Sequence, residues 1–397
     1  MKKKFSIGVL ISVVAIACAI TYVITVTAYT NMYNKLIGGV AQREEIYSKI
    51  QEVDSYVRSA AYYSIDEQAL INSVVNGYVK GLSDSEAQYL SESQVLKAKQ
   101  TESGTLISTG IEAQKEESGY IVITNVYANS HAAELGVRAG DVITEINGTS
   151  VLTLGADLAI TALEGDENTN VNLSIQRSGE SIPLTVTRKS FTIQSVTSAV
   201  VSTYGYVRID TFNDQTGQQF KSELQKLNSQ GVLGYVIDVR NSTGCFDCLA
   251  EMLGEFISEQ LIANARYKDG TVAKFIETAG TASFTAPLVV MVNENTVGPS
   301  ELFAASLRDF ASAKIVGKQS AGKGTVTELK NLSDGTAIVL TTAEILPAVT
   351  ETLKGGIKAD FAVDMSADMI DTAPEDGYDG DAQLIKAVEV IETMKNS

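Results

Sequence analysis

The chain has 397 residues, a formal net charge of −17 and a sequence pI near 4.6. That balance repels phosphate backbones and acidic headgroups, so no nucleic acid partner is expected. The 44% hydrophobic and 20% charged residues are enough for two or three packed domains, whereas one histidine and three cysteines supply no four-ligand zinc set, so neither a metal nor another cofactor is expected.

Met1 to Lys4 are basic, and Phe5 to Ala28 contain no charged residue. At about 1.5 Å per helical residue this run could cross a bilayer core of about 30 Å. It predicts a single transmembrane helix over residues 1–28, an N-terminal anchor in the cell membrane. By the positive-inside rule, Lys2 to Lys4 would be cytoplasmic and the bulk of the chain, from Tyr29 on, extracytoplasmic. Val26-Thr27-Ala28 would also suit a signal-peptide cleavage site.

Residues 29–103 read as an N-terminal helical segment. Ile46, Ile50, Val53 and Val57, then Leu70, Val74, Val75, Val79 and Leu82, recur at steps of three and four. A stalk or a dimerising hairpin is the plain reading, with a homo-oligomer possible. Short strand-like runs follow over residues 104–190. Gly110-Ile111-Glu112 and Tyr120-Ile121-Val122-Ile123 precede the long run Ala132-Ala133-Glu134-Leu135-Gly136-Val137-Arg138-Ala139-Gly140-Asp141-Val142-Ile143-Thr144-Glu145-Ile146-Asn147-Gly148. His131, beside this run, reads as a surface residue.

Residues 191–365 predict a core of mixed sheet and helices. Tyr204 to Phe212 reads as a strand, and Phe220, Leu224 and Leu227 as the apolar face of a helix. Gly234 to Asn241 is a buried strand ending in the polar turn Arg240-Asn241-Ser242-Thr243-Gly244-Cys245. Cys245-Phe246-Asp247-Cys248 completes a C-x-x-C, open to three readings: a short-range disulfide, a redox-active pair, or unpaired or metal-binding thiols. Pro287 to Val292 is a strand, Val297-Gly298-Pro299-Ser300-Glu301 opens a helix with Pro at its first position, and Gly322-Lys323-Gly324 makes a turn before another strand. Glu375 to Asp381 reads as an acidic linker, leading within residues 366–397 to a C-terminal helix over Asp381 to Met394. Gly317 to Thr325 nearly matches the phosphate-binding loop G-x-x-x-x-G-K-[ST], but β-branched Thr325-Val326-Thr327 predicts a strand where that loop must open a helix, so nucleotide binding is excluded.

Two resemblances organise these pieces. The run from Ala132 to Gly148 resembles a PDZ domain, which implies capture of unstructured protein or peptide C-terminal tails by strand addition, with Ser108, Thr109, Gly110 and Ile111 as the carboxylate loop. Residues from about 74 to 394 resemble the carboxy-terminal processing peptidases, serine peptidases of the Ser/Lys dyad type. Their signature runs N-x-x-S-A-S-A-S-E, a helix, and G-K-G-x-V-Q. In register, Lys323 takes the general-base position, Thr327 the glutamine position and Gly298, 25 residues before Lys323, the nucleophile position. The family's oxyanion turn R-N-N-P-G-G is here Arg240 to Cys245, with Gly244 and Cys245 at its end.

The resemblance thus implies a hydrolase scaffold whose nucleophile position has no side chain, and hence lost or impaired proteolysis. The alternative is an active endopeptidase using a displaced hydroxyl, Ser300 or Thr296, with Lys323. Against Ser300, two residues along a helix is a rotation of about 200°, which aims its hydroxyl elsewhere. A redox protein built on Cys245 and Cys248 is the third reading.

Overall fold

The computed structural model describes residues 7–365 and 380–395. The chain divides into two compact units, Met1–Val75 and Asn76–Ser397. In the first, a helix of 54 residues runs from Ile7 to Ala60. Near its end the Arg58 guanidinium donates to Asp54 at 2.9 Å and to Glu67 at 2.7 Å, and Ala69 donates its amide to the Asp66 carboxylate at 3.0 Å, a side-chain cap for the next helix.

The expected single transmembrane helix is not supported. The helix that carries the apolar run continues without a break into the charged stretch Arg43 to Arg58, and no helix among the described residues is long and apolar enough to cross a membrane. The single-pass location and the membrane anchor of residues 1–28 are corrected accordingly. Lys2 to Lys4, and all of the acidic linker except its last residues, lie outside the described residues.

The helical segment is also interrupted. Between the helices Glu67–Lys80 and Glu92–Ser103, residues 81–87 turn and Gln88–Leu90 forms a strand that joins the core by pairing antiparallel with Ala337–Pro347. Ser91 and Gln94 form a capping box at the start of the following helix, so the sequence specifies a fresh helix there rather than a continuation.

Thr105–Ser108 pairs with Lys189–Thr192, clasping the two ends of the segment between them. Inside the clasp, Ile111–Lys115, Ile121–Val126, Val142–Ile146, Asn170–Arg177 and Glu180–Thr187 form an antiparallel sheet in that spatial order. Alternation in Asn170–Arg177 turns Val171, Leu173 and Ile175 inward. They pack with Ile121, Ile123, Ile143 and Ala159 in a separate apolar core.

The larger core is built on a six-stranded sheet, in the order Val196–Val201, Tyr204–Ile209, Tyr235–Asp238, Leu288–Val292, Lys314–Gly317 and Phe361–Ala362. Its first pair is antiparallel and the rest are parallel. The near-continuous apolar composition of Leu288–Val292, all buried, is what a strand covered on both faces requires. Leu288, Val290 and Val292 meet Phe220, Leu302 and Phe303 on one side. Val289 and Met291 meet Leu384, Val388 and Ile391 of the helix Ala382–Lys395 on the other. A second, antiparallel sheet of Gln260–Tyr267, Val272–Thr278, Thr325–Asn331 and Ala337–Pro347 includes the Gln88–Leu90 strand.

Candidate functional site

The site lies where three turns of the larger core meet: the loop leading into the helix Pro299–Ala311, the turn after Tyr235–Asp238, and the glycine turn before Thr325–Asn331. Glu301 holds two of them together. Its carboxylate is fully buried and accepts the Gly298 amide at 3.0 Å, the Ser320 hydroxyl at 2.6 Å, and the amides of Gly322 and Lys323 at 2.6 and 3.3 Å. One oxygen, Oε2, takes both the Gly298 and Lys323 amides, so those backbones lie side by side. In sequence Glu301 is an acidic residue in the first turn of a helix, suited to the helix dipole; bracing two loops is a further role that only the fold reveals.

Gly298 itself stands at φ +67°, ψ −110°. A side chain there would carry backbone strain of about 1–3 kcal/mol. Space is not the obstacle, because the nearest neighbour of a Cβ would be Phe246 Cζ at 3.8 Å. The turn into the helix thus has a conformation that favours glycine, and position 298 presents no side chain on it. Pro299 next to it has no backbone N–H, and the Gly298 amide is already donated to Glu301. Neither position at this helix start therefore has a free backbone N–H to offer an oxyanion, which for Pro299 follows from its place at the first helical position.

The hydroxyls closest in sequence are committed elsewhere. Ser300 is fully buried; its Oγ donates to the Ser242 carbonyl at 2.7 Å and to the Val297 carbonyl at 2.9 Å, and accepts the Val297 amide at 3.0 Å. Thr296, also fully buried, donates to the Val239 carbonyl at 2.9 Å and accepts the Asn293 amide at 3.0 Å. Ser300 stitches the helix-entry loop to the Arg240–Cys245 turn, and Thr296 stitches it to Val239 just before that turn. Thr327 is exposed on its strand, beside an irregularity in pairing with Ala337–Pro347.

The Lys323 ammonium is ion-paired with Glu86 Oε1. Glu86 belongs to the turn before Gln88–Leu90, and Asp84 anchors that turn. The Asp84 carboxylate accepts the Thr341 amide at 2.8 Å and hydroxyl at 2.9 Å, and the Glu86 amide at 3.0 Å. Burial acts to raise the Asp84 carboxyl, but these hydrogen bonds outweigh it and hold the group below its ordinary range. Asp84 and Glu86 lie in a stretch whose apolar spacing predicts helix, and that spacing carries no cue to them.

Behind the site, Arg240 is buried with its guanidinium between Asp238 and Asp381, donating at 2.6 Å to each. Burial alone would raise Asp238; the Arg240 charge overcomes it and keeps the carboxyl below its usual range. This pair fixes the start of the Arg240–Cys245 turn. At the turn's end Gly244 pairs with Phe212, and the Cys245 amide donates to the Phe212 carbonyl at 2.9 Å, so it too is spent.

Residues 203–363 match Peptidase family S41, and residues 122–177 match a PDZ domain. The chain carries a family S41 peptidase domain behind a PDZ domain. A probable CtpA-like serine protease of Staphylococcus aureus (strain COL) is 29% identical over 359 residues, covering 89% of this chain and 72% of that protein. The carboxy-terminal processing protease CtpA of Bacillus subtilis (strain 168) is 29% identical over 318 residues, covering 79% and 68%. The solved photosystem II D1 C-terminal processing protease is 24% identical, with a TM-score of 0.49 over 84% of this chain and 92% of that one. The S41 match contains Gly298, Lys323, Thr327 and the 240–245 turn, and the sheet structure makes Thr325–Asn331 a strand, as the exclusion of a nucleotide loop requires.

The PDZ sheet ends at Ile111–Lys115, which is paired by Ile121–Val126 on one side, and among the described residues no strand pairs its other edge. Ahead of it lies the Ser108 to Ile111 loop. Gly110, at φ +81°, donates its amide to Ser108 Oγ at 2.9 Å, and a Cβ on it would sit 1.9 Å from Ser130 Cβ. The Thr109 hydroxyl is fully buried and has no hydrogen-bond partner. His131 accepts the Thr187 amide on Nδ1 at 2.9 Å, a structural contact.

Proposed function

We propose that this chain binds C-terminal tails of proteins or peptides through its PDZ domain and has lost or impaired proteolysis. The domain division that goes with this reading is 29–103 for the helical segment, 104–190 for the PDZ domain and 191–365 for the peptidase-like core. A serine–lysine peptidase needs a hydroxyl, an unprotonated lysine to take its proton, and backbone donors for the oxyanion. The observation that carries the reading is the first: position 298 supplies no hydroxyl, while Ser300 and Thr296 are buried and donate to main-chain carbonyls. Recruiting either would break the bonds that join the two loops. The Lys323 side chain is likewise engaged, in an ion pair with Glu86.

Tail binding is supported by the open edge of Ile111–Lys115, which offers main-chain groups to an added strand. The test is a titration of the full chain with one peptide in two forms, free carboxylate and C-terminal amide, the mixture being checked for cleavage by mass spectrometry. The free acid is expected to bind on the order of tenfold tighter, about 1.4 kcal/mol, and to stay intact. Equal binding of the two forms would remove the tail-binding reading.

A further inference from the structure

The turn that closes the vacated site carries two sulfurs that neither tail binding nor hydrolysis uses. Cys245 is half-buried, directly after the strand Thr243–Gly244. Cys248 is 5% exposed and packs into the large core with Leu249 and Met252. The two lie three residues apart on this turn, and neither is in a disulfide. Phe246, between them, packs edge-on against Phe275 with ring centres 5.1 Å apart, and its Cζ lies 3.8 Å from where a Cβ on Gly298 would stand. The turn is held at one end by the Phe212 pairing and at the other by burial of Cys248, so an accessible sulfur backed by a buried one is fixed beside the position a nucleophile would occupy.

We propose that Cys245 and Cys248 are a redox-active pair that exchanges disulfides with polypeptides reaching this cleft, Cys245 attacking and Cys248 resolving. The Cys245 thiolate attacks one sulfur of a polypeptide disulfide; a Cys245–polypeptide disulfide forms, and the other polypeptide sulfur leaves as a thiolate and takes a proton. Cys248 then loses its proton and attacks Cys245 Sγ. The Cys245–Cys248 bond forms, the second polypeptide thiolate leaves and is protonated, and two electrons have passed from the pair to the polypeptide disulfide. With the pair oxidised and a polypeptide dithiol as the reductant, the same steps run backwards.

The electrostatics agree with that division of labour. The hydrogen bond from Cys248 lowers the Cys245 thiol, against burial and the nearby carboxylates of Asp247 and Asp214. The same contact, with burial, pushes Cys248 up. The one competing use of the cluster is cation binding, since ligand atoms of Asp214, Cys245 and Asp247 lie within 4.8 Å of one another.

The test uses the full chain carrying Cys18→Ser, reduced and desalted. In the native protein at neutral pH, iodoacetamide should label Cys245 at least about tenfold faster than Cys248. Mixing with a disulfide-bearing peptide should yield the Cys245–Cys248 bond and two peptide thiols per chain by mass spectrometry. Adding Cys248→Ser should stop the reaction at a mixed disulfide on Cys245. Equal labelling of the two thiols, or no peptide thiol released, would overturn the proposal, and neither readout depends on the Cys248 variant folding. Micromolar zinc(II) that protects both thiols from iodoacetamide, without any exchange in its absence, would overturn it in favour of a metal site.

Discussion

The PDZ domain and the S41 domain of this chain differ in how their working groups are occupied. In the PDZ domain, among the described residues, no strand pairs the outer edge of Ile111–Lys115, so its main-chain groups are left open, as a surface that receives a ligand requires. In the S41 domain the scaffold is just as well braced, but nearly every polar group around position 298 is taken: Ser300 and Thr296 by carbonyls, the Gly298 amide by Glu301, the Cys245 amide by Phe212, and the Lys323 ammonium by Glu86. Buried polar groups are costly to leave unpaired, and around position 298 they are paired internally. An open group in such a fold points to use, and a satisfied one to support.

The largest effect that would sharpen this contrast comes from the scaffold. Arg240→Ala leaves Asp238 and Asp381 buried without their shared cation, and should cost about 3–5 kcal/mol of stability in urea unfolding, while the isolated signature of tail binding at a permissive urea concentration stays unchanged. Gly110→Ala should act in the opposite sense. Its positive φ and the 1.9 Å approach to Ser130 force the carboxylate loop to move, so tail affinity should fall tenfold or more, with strain of about 1–3 kcal/mol and no change in the S41 domain. If tail binding survived Gly110→Ala, the open PDZ edge would not be the binding surface.

Ser300→Ala distinguishes support from catalysis at smaller scale. Removing a hydroxyl that bonds the Ser242 and Val297 carbonyls should destabilise the fold by about 1–3 kcal/mol, measured by denaturant unfolding. Any loss of a peptidase activity in this variant would instead make Ser300 a displaced nucleophile. The smallest effect is the pH response of the Asp84 turn. A carboxyl whose folded pKa is depressed stabilises the fold above its unfolded value, about 3.9. That contribution is lost as pH falls through the lower folded value. Since Asp84 is only part-buried, solvent screening holds the amount to about a few tenths of a kcal/mol. Asp84→Asn should flatten that part of the acid limb of stability against pH; an unchanged limb would show that the turn is not held by this carboxylate.

Much of this was legible beforehand because it rests on local pattern. The buried strand Leu288–Val292, the proline-led helix after Gly298 and the long PDZ run each announce themselves in composition and spacing. Gly298 and Lys323 were located by register alone. What local pattern does not carry is which group answers which across the fold. Glu86 reaches Lys323 over more than two hundred residues of sequence, and Glu301 crosses between loops by hydrogen bonds that no periodicity encodes. The membrane-spanning reading is overturned because no helix among the described residues is long and apolar enough to cross a membrane. The Asp84–Leu90 turn was missed because the helical steps on either side of it stay in phase by eye while the Ser91 capping box restarts the helix.

The most direct test of the central claim is mass-spectrometric cleavage of an unfolded protein substrate by the unmodified full chain, run beside Gly298→Ser and Lys323→Ala. The account predicts no cleavage by any of the three: the unmodified chain lacks the hydroxyl, and Gly298→Ser regains it without regaining an N–H at Pro299 or releasing Lys323 from Glu86. Cleavage by the unmodified chain that Lys323→Ala abolishes would contradict the loss of proteolysis, and cleavage gained by Gly298→Ser would contradict the claim that the surrounding groups have been committed to support.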